Sequence, residues 1–127
     1  MENIAKEMFQ KWNELLQTGD KEKVASLYTD DNAFLPTLSG DFKKGISGAE
    51  DYFAHFLEKN PFGKIIKEDI QGGENFIIHS GLYDFEVDDK NEGRVNVEAR
   101  FTFVYKKCEN GEWKITHHHS SLKPVNL

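Results

Sequence analysis

The chain has 127 residues, enough for one domain (residues 1–127) with a real core, and its apolar and charged fractions are those of a globular protein. A formal net charge of -6 argues against a nucleic-acid partner, which a basic stripe would signal, and no apolar run approaches membrane-spanning length. One cysteine, Cys108, forms no internal disulfide framework and sits in the polar stretch KKCENGEW. That cysteine and a start that is charged from its second residue lead to the expectation of a cytoplasmic protein.

Ile4, Met8, Trp12, Leu15 and Leu16 recur at helical spacing and predict an amphipathic first helix ending at Thr18-Gly19-Asp20. There glycine suits the cap and Asp20 can begin the next element. Lys21 to Tyr28 reads as a short second helix, Asp30-Asp31-Asn32 as a turn, and Ala33-Phe34-Leu35 as a strand broken by Pro36. A glycine-containing loop follows. Ala49 to Lys59 predicts a third helix with Tyr52, Phe53, Phe56 and Leu57 on its apolar face, stopped at Asn60-Pro61.

Beyond that point the period changes from 3.6 to 2. Strands are expected over 64–70, 75–86, 95–106 and 112–122, with Gly72-Gly73, residues 88–93 and Asn110-Gly111 as turns. Helices followed by such strands indicate an α+β domain, its helices packed on a curved antiparallel sheet that leaves a pocket. This is the cone-shaped cystatin-like, or nuclear transport factor 2-like, arrangement.

The last strand, WKITHHHSSLKP, is the richest in chemistry. Regular alternation places Trp113, Ile115, His117, His119 and Ser121 on one face and Thr116, His118 and Ser120 on the other. The face with two large apolar residues is expected to look inward. His117 and His119 form an H-x-H pair with acceptable spacing for a metal, zinc or manganese, although His55 and His79 are distant in sequence.

The segments WNELLQTGDKEKVASLY, FLPTLS, EDYFAHFLEKNP, GLYDF, ARFTFVYKK and GEWKITHHHSSLKP span nearly the whole chain. Together they resemble the association domain of calcium/calmodulin-dependent protein kinase II, and within that group the iota class of carbonic anhydrases. The resemblance implies reversible hydration of carbon dioxide to bicarbonate, with no metal in at least some members. Carried onto this chain it implies catalytic roles for Thr37 of FLPT, Tyr52 of DYF, and His119 and Ser121 of the terminal run. His118, Ser120, Phe53 and Arg100 are the expected substrate contacts, the arginine as a bidentate partner for bicarbonate.

Thr37 and Ser121 would hold a water, and Tyr52 or His119 would take its proton, although an ordinary phenol is a poor base at neutral pH. The loop DFKKGISG departs from the more Arg/Thr-rich segment expected there. A curved sheet covered on one face predicts a homodimer through the other, and the resemblance adds larger homo-oligomers. Two alternatives stand beside the enzyme reading. One is a non-catalytic hub or small-carboxylate-binding module. The other is an isomerase or cyclase, for which Glu50 or Asp51 beside Tyr52 is the base to test.

Overall fold

Helix α1 (Glu2–Leu16) forms at the expected place, and its buried stripe is Ala5, Met8, Phe9, Trp12 and Leu16, with Ile4 and Leu15 at the edge of the core. In the structure, a computed structural model that describes residues 1–125, this stripe lies across the concave face of one sheet. Burial of each large apolar side chain contributes roughly 1.5–3 kcal/mol. Polar contacts fix the helix axially. The Asn13 amide donates to the Gly63 carbonyl at 2.9 Å and accepts from the Gly63 amide at 2.8 Å. A Cβ at residue 63 would stand 2.8 Å from the Phe85 ring, so glycine permits this approach. Trp12, one residue before that clamp, is thereby held at the centre of the core.

Asp20 caps the short α2 (Lys21–Ala25), accepting from the amides of Glu22 and Lys23. The helix ends earlier than expected, because Tyr28 opens strand β1 (Tyr28–Leu35) instead of closing a helix. Its neighbour Leu27 accepts a backbone hydrogen bond from Ile115, which pulls the chain into the sheet. Asp30-Asp31-Asn32, expected as a turn, is an irregularity inside β1. A two-residue strand, β2 (Lys43–Lys44), then leads into α3 (Gly45–Phe56) and a 3-10 turn over Leu57–Lys59.

Four long strands follow: β3 (Phe62–Gly72), β4 (Phe76–Asp89), β5 (Gly93–Lys107) and β6 (Trp113–Leu122). The sheet order is β2-β1-β6-β5-β4-β3. It is mixed, not wholly antiparallel as expected: β1 joins β6 in parallel, while every other pair is antiparallel. The chain between β1 and β6 passes through α3 and three long strands, so no tight turn forces this pair to be antiparallel.

Two irregularities shape the sheet. In β3 the register shifts between Ile65 and Lys67, opposite Leu82. Gly81 lies beside this shift, and a Cβ there would come within 1.9 Å of the Lys67 carbonyl oxygen. In β6, Tyr105 pairs with Ile115 but Val104 pairs with His117, so Thr116 is an extra residue, a β-bulge. Among the described residues no helix is long and apolar enough to cross a membrane.

Candidate functional site

The bulge at Thr116 reverses the expected parity of the terminal run. Ile115 is inward, but beyond the extra residue the inward positions are His118 and Ser120, 2 % and 4 % exposed. His119 is exposed and Ser121 half-buried on the opposite, outer face. Arg100, paired across the ladder with Ser121, is also exposed there, its guanidinium donating to Ser121 Oγ at 3.4 Å. These three expected site residues therefore lie on the wrong side of the sheet to reach the core cavity. His117 and His119 flank the same outer face, and among the described residues no cluster of three or more His, Cys, Asp or Glu forms a metal-ligand set.

The inward pair stands against a small cavity of about 10 Å³, room for about one water-sized sphere. Its apolar wall is aromatic: Trp12, Phe34, Phe53, Phe56 and Phe85. Its polar wall is Thr37, Tyr52, Tyr83 and His118. Thr37 is delivered by the chain leaving β1 through Pro36, and Tyr52 by the buried face of α3. Thus Thr37, Tyr52, Phe53 and His118 do converge. Ser120 stands behind Thr37, the two hydroxyls hydrogen-bonded to each other.

Tyr83 was not singled out by the sequence reading, yet it joins these groups. Its hydroxyl donates to Ser120 Oγ at 2.6 Å and stands 3.3 Å from His118 Nε2. On the other side of the imidazole, His118 Nδ1 is 2.9 Å from the Tyr28 hydroxyl, which accepts from the Trp12 indole N–H at 3.2 Å. The His118 ring is clamped between Phe34 and Phe103, stacked on both at centroid distances of 4.8 and 4.1 Å. Tyr83 lay in the quoted GLYDF segment, and strand alternation with Phe85 and Val87 would have found it as inward-facing.

Burial governs the electrostatics. It drives the His118 pKa well below the usual imidazole value, with help from the neighbouring His117 and His119, so the ring is neutral. Burial pushes the Tyr52 phenol up, opposed by hydrogen bonding to the Leu38 backbone. It raises Tyr83 as well, against the hydrogen bonds of Ser120 and Thr37. Both phenols stay protonated, Tyr83 donates to Ser120, and the shift of Tyr52 runs against the role of proton acceptor expected of it.

Tyr52 and Phe56 separate the cavity from an outer basin of about 360 Å³, which they also line. The basin includes Leu38, Ser39, Lys43, His55 and Lys59. Asp51 lies at this rim, ion-paired to Lys43, and Glu50 does not line the cavity. No carboxylate among the described residues faces the inner cavity, so the base needed for the isomerase reading is not there.

The sequence model described as the calcium/calmodulin dependent protein kinase II association domain matches residues 2–124. A crystal structure from Xanthomonas campestris assigned to that association domain is similar at 39% identity with a TM-score of 0.89. The match covers 93% of this chain and 84% of that one. Fold likeness extends to a nuclear transport factor 2-like superfamily protein from Salmonella enterica, 18% identical over 94% of this chain and 88% of the other, TM-score 0.77. It extends also to a protein from Streptomyces avermitilis assigned as a dehydratase of the same superfamily, 14% identical over 97% of both chains, TM-score 0.81. No curated protein is significantly similar to this chain. With its family match running almost end to end and its helices laid over one curved sheet, the chain belongs to the calcium/calmodulin-dependent protein kinase II association-domain family.

Proposed function

We propose that the chain hydrates carbon dioxide to bicarbonate in the cavity between α3 and β6, using hydroxyl groups without a metal cofactor. The observation that carries this reading is the aromatic cavity of about 10 Å³ that four polar residues, Thr37, Tyr52, Tyr83 and His118, also line. The space holds about one water as it stands and would have to open to admit more, and its apolar wall suits an uncharged reactant. Small outward movements of Tyr52 and Phe56, the partition to the outer basin, would admit carbon dioxide and a water.

In the reaction the water oxygen forms a bond to the carbon, and one C=O electron pair moves onto oxygen. Thr37 and Tyr52 hydroxyls donate to the oxygens that gain charge, in a site where water is scarce and such bonds are strong. The water's proton leaves towards the outer basin, where the His55 imidazole is exposed. Ser120, not Ser121, supports Thr37, and His118, not His119, belongs to the site.

The test is a hydration assay on chelator-stripped protein with metal content measured in parallel. Activity should survive stripping and collapse in Thr37→Ala and Tyr52→Phe variants that remain folded, while His119→Ala and Ser121→Ala stay near wild type. Activity lost on stripping and restored by zinc or manganese would overturn the metal-free mechanism.

The outer face supports a second role, assembly. Phe76, Ile78 and Leu82 are 50%, 42% and 40% exposed in a row along β4. We place a second copy of the chain there, giving a homodimer, in line with the family's association domains. A cytoplasmic setting remains part of this reading.

A further inference from the structure

Five hydrogen bonds run from Trp12 through Tyr28, His118, Tyr83 and Ser120 to Thr37, whose hydroxyl also stands within reach of Tyr83. The two ends of this chain differ chemically. An indole N–H only donates, so the Tyr28 oxygen receives Trp12 and the single phenolic proton must find another acceptor. Among the described residues its other hydrogen-bond partner is His118 Nδ1, at 2.9 Å. A neutral imidazole that accepts at Nδ1 carries its proton on Nε2, which faces the Tyr83 oxygen. Tyr83 then gives its own proton to Ser120, Ser120 gives its proton to Thr37, and the Thr37 proton is left for the cavity.

We infer that Tyr28 sets the direction of this whole chain: it holds His118 as the Nε2–H tautomer and thereby presents Thr37 to the cavity as a hydrogen-bond donor. The reverse arrangement, with Nδ1–H donating to Tyr28, leaves the Tyr28 proton without an acceptor in a position that is wholly buried. An unpaired buried donor disfavours that arrangement by about ten- to hundred-fold.

Tyr28 is thus a positioning residue: it does not line the cavity, and it acts through a single hydrogen bond to His118, which does. The occupant it prepares for has acceptor oxygens, as carbon dioxide and bicarbonate do; this part rests on the hydration reading. The directed chain also has no vacancy for an incoming proton, because Nε2 is already occupied. A proton released in the cavity must leave past Tyr52 instead of travelling inward towards Trp12.

Long-range proton–nitrogen spectra of protein labelled with nitrogen-15 histidine test this directly. At neutral pH the wild type should show His118 protonated on Nε2 and bare on Nδ1; the opposite tautomer overturns the inference. Tyr28→Phe keeps the ring and removes the proton, so both tautomers should appear, and bicarbonate titrated in by carbon-13 spectra should bind about five-fold more weakly. An unchanged tautomer in the variant overturns the role of Tyr28. If the variant does not fold, the coupling between the Tyr28 hydroxyl proton and His118 Nδ1 in the wild type decides, and its absence overturns the assignment. An Nε2–H tautomer together with no bicarbonate binding leaves the chain direction standing and removes the hydration reading.

Discussion

Ser120 and Ser121 are adjacent, chemically identical, and on opposite faces of β6, so a pair of alanine substitutions separates the two parities of the strand. Ser120 is 4 % exposed and joins both Tyr83 and Thr37. In Ser120→Ala the Tyr83 hydroxyl, 1 % exposed, loses its 2.6 Å acceptor, and the alternative at His118 Nε2 already holds a proton in the directed chain. Leaving a buried donor unpaired costs about 1–3 kcal/mol. Thr37 is half-buried and recovers water, so its loss adds little. An expected total of about 2 kcal/mol corresponds to a fall in melting temperature of about 8 °C for a domain of this size. Ser121 makes one long contact with an exposed arginine, and Ser121→Ala should stay within about 0.5 kcal/mol of wild type. Urea unfolding followed by the fluorescence of Trp12 and Trp113 measures both, with an unchanged m-value confirming that the comparison is one of stability. Equal losses, or a greater loss for Ser121→Ala, would refute the inward placement of Ser120 and the bulge that produces it.

Acid should destabilise the fold before its carboxylates titrate. Burial lowers the pKa of His118 and also of His79, the latter despite Glu68 at 2.9 Å, so both are neutral when folded while the unfolded chain binds protons below 6.5. Stability present above that value is therefore lost as pH falls towards the folded pKa values, by up to about 1.4 kcal/mol per pH unit for each histidine. Urea midpoints between about pH 7 and about pH 5.5 should show the slope, and a flat profile would contradict the burial of both rings. Gly81→Ala should destabilise by about 1–3 kcal/mol or more, because its methyl would meet the Lys67 carbonyl, whereas Gly73→Ala, with open space around it, should be nearly neutral by the same assay. Ile78→Asp, on the exposed face of β4, should shift sedimentation from dimer to monomer without unfolding the chain; a monomeric wild type at micromolar concentration would refute the dimer.

The α+β order, all three helices and the four long strands were legible because burial is periodic: 3.6 in α1 and α3, 2 from residue 62 onward. Thr37, Tyr52, Phe53 and His118 were all named as candidates from the sequence, and they line one cavity. What the sequence concealed was an irregularity of one residue. Thr116 is as good a strand residue as its neighbours, and nothing in its own chemistry marks a bulge; the extra residue exists because β5 pairs on both sides of it. Extending the alternation from Ile115 through that point turned His119 and Ser121 inward, in agreement with the resemblance, whereas Arg100 was expected there only as a bidentate partner for bicarbonate. Tyr28 was hidden differently. At the end of a helical pattern it satisfied the helix period, and only the parallel partner β6, remote in sequence, draws it into the sheet. That pairing is tertiary, as is the acceptor that Tyr28 offers Trp12.

The run His-His-His-Ser-Ser has a further property once the bulge is known. Displaced by one position, it superimposes histidine on histidine and serine on serine at the two inward places, so the run itself scarcely distinguishes one frame from the next. The frame must be set by its borders. On one side Ile115 is fully buried, and on the other Leu122 is half exposed opposite Ala99, so a slip would exchange a core residue for a threonine. A substitution that makes residue 115 polar should therefore do more than weaken the core: it would release a strand able to settle in two registers, each offering a histidine and a serine to the same cavity, and only one of them supported by Tyr28.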